Sequence, residues 1–409
     1  TYGDTTRGEA YEHANFIPAI THLGHEVVHF ESWDRKAWRD FADLNSSLIC
    51  TVMREQPDLV LCALLTYEIW IETLALIKTY SKARLLYWAA DDSWKYQQAS
   101  RFLASSFDLC ATTFPAAADS YLRDGHANIA VTQWAVPEAT LAAPLPASES
   151  RYQVSFVGSA YGNRRAWIAS LREAGIRVEC FGHGWEAGPV SAEEVRRIYR
   201  ESVISLNFAD PGTVLKNSFT AGIRQIKART FEVPGAGGFL LTEHAPGLDQ
   251  YYETGREIAQ FRNKAELIAS IRRYLANPIE RDAIAAAGHA RTRKEHTYEA
   301  RFSHLFNAVL EQRPTGTKPV MPADSLGHAL NKLAERHRTG AALRATRAMM
   351  VWPLALAWGP RRGQRAARRL WRGGDADADR PARQGPELER RLVLRQGRHS
   401  DGDDGDSRR

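Results

Sequence analysis

Lys216-Asn-Ser-Phe-Thr-Ala-Gly-Ile-Arg-Gln-Ile-Lys-Ala-Arg-Thr-Phe-Glu232, then Val-Pro-Gly-Ala-Gly-Gly238 and Phe-Leu-Leu-Thr242, is the stretch on which the fold turns. A polar, helix-forming segment ends at a Pro/Gly cluster, and an apolar run follows at once. That order predicts helix, tight turn and buried strand. Lys227, Arg229 and Glu232 stand two, three and five residues apart, on overlapping faces near one helix end. Two cations suit a diphosphate, and a carboxylate that accepts from two hydroxyls suits a ribose or hexose diol. The glycines of the turn, Gly237 among them, let a ligand approach the backbone. A nucleotide-sugar offers both kinds of group. A solvated helix end with a salt bridge is the plain alternative.

Upstream, apolar runs alternate with helical stretches. Helices over 9–23, 41–55, 68–81 and 115–123 interleave with strands over 26–31, 57–65, 83–90, 107–113 and 129–134. The strand over 57–65 is continuously apolar after Asp58 and that over 83–90 reads as buried too, as parallel strands covered on both faces require. Asp91-Asp92-Ser93 follows the third of them, at a carboxyl end where doubly wound sheets bind ligands. Asp92 is therefore a candidate base or acceptor contact, with helix capping as the alternative. The segment 137–150 is rich in proline and turn formers and reads as a linker. A second run then starts with a strand over 153–157, the loop Gly158-Ser-Ala-Tyr-Gly-Asn163 and a helix from Arg164. Strand, glycine loop and helix N-terminus form a general anion site, to which Gly158 and Arg164 belong. The loop lacks the Gly-x-Gly-x-x-Gly spacing and any Walker lysine, so neither a dinucleotide nor a P-loop reading is supported. Strands over 177–181, 203–208 and 257–261 follow, and helices over 263–275, 278–295 and 298–311 close the run. Two βαβ runs predict an α/β protein of two Rossmann-like domains, over 1–145 and 151–311.

The 409 residues are 44% hydrophobic, enough for two cores. The net charge of +6 is uneven. Residues 313–409 hold 21 Lys/Arg against 11 Asp/Glu, whereas the rest holds 33 against 37. The basic character belongs to the tail, so no nucleic-acid partner is expected of the folded part. Four scattered cysteines form neither a Cys-x-x-Cys motif nor a Cys/His cluster, so no metal centre and no disulfide framework is expected, and a reducing cytoplasm is. No run of about 20 apolar residues appears, as a membrane span would need. The opening Tyr2-Gly-Asp-Thr-Thr-Arg-Gly8 reads like the loop after a first strand, an expectation of a truncated N-terminus.

Arg229-Thr-Phe-Glu-Val-Pro-Gly-Ala-Gly-Gly-Phe-Leu-Leu resembles the donor-site signature of the CgeB/YkvP-like (spore-maturation type) glycosyltransferases, within the group-1 glycosyltransferases of GT-B fold. The likeness continues through Gly247-Leu-Asp-Gln-Tyr-Tyr-Glu-Thr-Gly-Arg-Glu257 and Tyr274-Leu-Ala-Asn-Pro-Ile-Glu-Arg281 to Ala287-Gly288. The resemblance implies two domains facing across a cleft, with acceptor on the first and nucleotide-sugar donor on the second. It implies that Arg229, Lys227, Arg164 and the Gly158 loop hold the donor diphosphate. Gly182 would lie near the nucleobase, and Trp185 would stack on it or simply pack. Glu232 and Gly237 would meet ribose or sugar. The last helix would cross back onto the first domain. The donor is a substrate, so no cofactor is expected, and the acceptor is a glycan, a lipid-linked sugar or a protein. Many retaining members carry a second glutamate eight residues before Glu232; Arg224 stands there, which leaves the stereochemical outcome open. A non-catalytic nucleotide-sugar or glycan-binding protein, or a nucleotide-sugar epimerase, are the rival readings.

The tail 313–409 reads as basic and largely disordered. Residues 338–372 carry nine arginines and no acid around Met349-Met-Val-Trp-Pro-Leu-Ala-Leu-Ala-Trp358. Such a segment suits an anionic interface, here the inner membrane face, although Pro353 is expected to interrupt the helix this needs.

Overall fold

The computed structural model describes residues 9–32, 37–64, 67–210, 223–311, 318–319, 323–338, 340–359 and 391–396. The Tyr2–Gly8 loop and residues 216–222 of the helical segment expected from Lys216 to Glu232 lie outside these, and residues 223–228 are not helical.

In the first half the chain runs α1 (Tyr11–His22), β1 (His25–Phe30), α2 (Phe41–Glu55), β2 (Leu59–Cys62), α3 (Ile71–Tyr80) and β3 (Arg84–Ala89). Two short helices, α4 (Asp92–Lys95) and α5 (Arg101–Leu103), then lead to β4 (Leu109–Thr112), α6 (Pro115–Arg123) and β5 (Ile129–Val131). β2, β3, β4 and β5 pair in parallel. All four residues of β2 and of β4 are buried, which explains their unbroken apolar sequence. The second half runs β6 (Tyr152–Val157), α7 (Arg164–Glu173), β7 (Glu179–Phe181), α8 (Ala192–Arg200), β8 (Ser202–Asn207), α9 (Arg229–Gly235), β9 (Leu240–Glu243) and β10 (Ala259–Phe261). Its sheet is parallel throughout, in the order β7-β6-β8-β9-β10. Helices α10 (Lys264–Ala276), α11 (Pro278–Glu295) and α12 (Tyr298–Leu310) follow. The Asn263/Glu266 capping box forms: Glu266 N donates to Asn263 Oδ1 at 2.9 Å, and Asn263 Nδ2 donates to Glu266 Oε1 at 2.7 Å.

Two Rossmann-like sheets, with α12 returned to the first, make the GT-B architecture expected. The return is explicit. Tyr298, Phe302, Leu305, Phe306 and Val309 of α12 pack with Phe16, Ala19 and Ile20 of α1 and with Trp88 of β3. Linker and second half are tied by Arg281, which is fully buried. It donates to Leu145 O at 3.0 Å, Ser202 O at 2.8 Å and Val203 O at 2.7 Å. A buried guanidinium is tolerable because these carbonyls and Asp282 satisfy it.

Three elements lie among the described residues of the tail. Residues 323–336 form α13 and residues 341–358 form α14. Leu326, Leu330 and Leu333 of α13 recur at helical spacing and pack on the first core, and His337 stacks on Trp70 at 4.0 Å. Residues 391–396 form β11, antiparallel to β1 and β2 and lying between them. Pro353 does not break α14; the helix runs through it and forgoes the one backbone bond that proline cannot donate.

Candidate functional site

In the second sheet the strand order reverses between β6 and β8, because β6 is followed on one side by β7 and on the other by β8. Ligands of doubly wound sheets bind outside the carboxyl ends at such a point. Gly158 follows β6 there, and Asn207 ends β8. Arg229, the first residue of α9, donates from Nη1 to Asn207 Oδ1 at 2.7 Å. Its guanidinium passes 5.3 Å from the Phe156 ring centre and directly over Gly158. A Cβ at Gly158 would stand 2.5 Å from Arg229 Nη2, so glycine is what lets this cation lie across the strand end. Gly182 serves the same closeness from β7: with φ +123°, its added Cβ would meet the Gly158 carbonyl carbon and oxygen at 2.7 Å.

Two more cations converge on this point. Arg164 opens α7 and is only 1% exposed, sandwiched by the rings of Phe156 and Tyr161, with Nη1 donating to Ser159 O at 2.8 Å. Burial, then the neighbouring Arg229, lower its pKa to about 10. Lys227, two residues before α9, is half-buried. Burial pushes its ammonium down to about 7; Arg164 and Arg229 push the same way, whereas Asp91 and Asp210 oppose. Among the described residues none of the three cations makes an ion pair. Three positive groups gathered with no direct ion pair favour an anion between them.

Glu232 lies one turn into α9, beside Arg229. Burial raises its pKa, while Arg229 and a hydrogen bond from the Tyr11 hydroxyl lower it. Tyr11 comes from α1 and in turn receives a hydrogen bond from Tyr298 OH at 3.1 Å. Glu232 thus joins the second sheet's helix to the first half of the chain. Ser93 Oγ, after β3, makes another such link by donating to Gln225 Oε1.

Several expected site residues sit elsewhere than expected. The helix carrying the cations begins at Arg229 and continues through Pro234 to Gly235, so Lys227 precedes it rather than sharing its face. Gly237 meets no open ligand space: a Cβ there would stand 2.7 Å from Ala142 O and 2.8 Å from Ala143, so this glycine admits the linker. Asp92 turns away from the crevice. It is 3% exposed, and its Oδ2 accepts from Thr112 Oγ1 at 2.8 Å and Tyr121 OH at 2.9 Å. Its neighbour Asp91 is the carboxylate whose charge acts on Lys227. Trp185 donates Nε1 to Gly158 O at 2.7 Å, and the Arg165 guanidinium covers its ring at 5.2 Å. The same indole lines a cavity of about 730 Å³ beside the edge strand β7. Arg224, at the place of the absent glutamate, pairs with buried Glu243 at 2.5 Å. Asp91, Tyr11, Asn207 and Gln225 escaped the sequence reading because only tertiary contact reveals them; Asp91 alone had a signal, as half of the acidic pair. Among the described residues no three His, Cys, Asp or Glu side chains gather as a metal site would need.

Residues 164–307 match the family described as "Glycosyl transferase-like". That segment includes α7 through most of α12, and with them all three cations. Among solved structures, the chain is similar to HepE of Anabaena, crystallised with UDP-glucose, at 11% identity and a TM-score of 0.48 over 65% of this chain and 82% of that one. Sucrose-phosphate synthase of Thermosynechococcus elongatus is similar at 11% identity and a TM-score of 0.44, over 66% and 79%. A Listeria monocytogenes protein titled putative UDP-N-acetylglucosamine 2-epimerase is similar at 15% identity and a TM-score of 0.43, over 70% and 84%. No curated protein matches the chain.

Proposed function

We propose that this chain is a glycosyltransferase of the CgeB/YkvP-like type, which moves a sugar from a nucleotide-diphosphate-sugar to a glycan, lipid-linked or protein acceptor in the cytoplasm. The observation that carries the reading is the cluster of Arg164, Lys227 and Arg229, with no direct ion pair among the described residues, at the switch point of the second sheet. As the bond between the anomeric carbon and the phosphate oxygen breaks, negative charge grows on the departing diphosphate. Positive groups fixed beforehand in a half-buried crevice stabilise that charge without reorganising at the moment of reaction. Lys227 and Arg229 contact the phosphates in this account. Arg164, already engaged by Ser159 and Tyr161, adds to the positive potential from behind them. Glu232 takes a donor hydroxyl, and Asp91, near Lys227 on the first half's side of the crevice, faces the acceptor.

The test is turnover. The purified full chain, offered a panel of uridine-, guanosine- and cytidine-diphosphate sugars with and without short glycan acceptors, is expected to release nucleoside diphosphate from one of them. Binding of a nucleotide-sugar with neither transfer nor hydrolysis would leave a binding protein, and interconversion of the sugar without release would leave an epimerase.

A further inference from the structure

The C-terminal helix α14 offers a surface that transfer does not explain. Met349, Trp352 and Leu356 are 68%, 69% and 69% exposed, and they recur three and four residues apart. At 100° per residue they share one stripe about 60° wide. Ala345, Ala348, Pro353 and Ala357 are exposed as well, so the open side of the helix is mostly apolar where it is described, with Thr346 the polar exception. None of the described side chains of α14 belongs to the four buried cores, although α13, just before it, is docked through Leu333, His337 and the Arg336–Glu72 pair. The segment 338–372 around this stripe has nine arginines and no acidic residue. At 18 residues with Pro353 inside it, α14 is not apolar enough to cross a bilayer.

We propose that α14 lies in the plane of an anionic lipid surface, with Met349, Trp352 and Leu356 inserted at the headgroup boundary. Charge complementarity selects this occupant over a neutral surface or a second copy of the chain. A segment with nine arginines and no acidic residue repels another copy of itself and attracts acidic headgroups, while the large exposed side chains are those that settle at a bilayer interface. α13 fastens the helix to the first half of the chain, so the folded body is held at the surface rather than tethered far from it. The inference stands independently of the transferase reading.

Flotation of the full chain with vesicles decides it. Phosphatidylcholine vesicles containing about 30% phosphatidylglycerol are expected to carry the protein, pure phosphatidylcholine vesicles are not, and raising the salt from about 0.1 to 0.5 M is expected to release most of it. Trp352→Glu with Leu356→Glu is expected to lower the partition coefficient at least tenfold with an unchanged melting temperature, because both side chains are already exposed. Equal flotation of that double variant would move the contact elsewhere, and equal flotation on neutral lipid would remove the charge argument. A wild-type dimer that the double variant turns into a monomer would assign the stripe to a second copy and overturn the proposal.

Discussion

Lys227 gives the donor site a pH dependence whose sign is fixed by the structure. Its pKa in the free protein is lowered to about 7, chiefly by burial and then by Arg164 and Arg229. A diphosphate placed beside it favours the ammonium, so the bound-state pKa lies higher. Below pH 7 the lysine is already charged and the affinity owes nothing to this group's titration. Above pH 7 binding must take up a proton, and the dissociation constant rises by as much as tenfold per pH unit, roughly 1.4 kcal/mol, until the bound-state pKa is reached. The phosphates of a nucleotide-sugar do not titrate in this range, so the lysine is visible alone. Isothermal titration at pH 6.5, 7.5 and 8.5, in two buffers of different ionisation enthalpy, reads both the affinity and the proton uptake. Lys227→Arg keeps its charge throughout and is expected to flatten the profile, and Lys227→Met to bind weakly and flatly. A wild-type affinity that is constant from pH 6.5 to 8.5, or a Lys227→Arg profile as steep as wild type, would refute the reasoning.

Other substitutions separate roles that look alike in sequence. Gly158→Ala pushes a Cβ to within 2.5 Å of Arg229 Nη2 and is expected to displace that guanidinium, weakening donor binding at least tenfold by calorimetry while the circular dichroism spectrum is kept. Glu232→Gln retains shape but loses the charge beside Arg229; donor affinity is expected to fall about tenfold, given about 1.5–3 kcal/mol for a hydrogen bond to a charged group, with little change in melting temperature. Asp92→Ala leaves Thr112 and Tyr121 without their buried acceptor and is expected to cost about 1–3 kcal/mol of stability in urea unfolding, whereas Asp91→Asn is expected to melt like wild type and yet bind donor less tightly at pH 7.5, because it removes a charge that holds the Lys227 pKa up.

The architecture was legible in the sequence because its central strands are buried on both faces and helices such as α2, α8, α10 and α12 carry their own caps. Phe41–Glu55 and Pro115–Arg123 begin and end where the residue pattern puts them, and Asn263 with Glu266 caps α10 as their spacing predicts. What failed had a common cause: a residue type announces a chemistry, but only packing says to whom it is addressed. The Pro-Gly-Ala-Gly-Gly turn looked like backbone cleared for a ligand. Gly235 and Gly237 are instead cleared for Val136 and for the linker carbonyls at Ala142 and Ala143. Of the adjacent aspartates, the one with hydroxyl partners 20 and 29 residues away points inward, and nothing local distinguishes it from its neighbour. Leucine spacing in α13 was in plain sight but was masked by the high charge of the tail around it.

The central claim is that the three cations at the end of β6 and β8 receive the donor diphosphate, and a crystal structure with a bound nucleotide-sugar tests it most directly. Phosphate oxygens are expected about 2.7–2.9 Å from Lys227 Nζ and from the Arg229 guanidinium, beside Gly158. Phosphates seated elsewhere, for instance in the cavity lined by Arg172, Arg177 and Trp185 along β7, would contradict it.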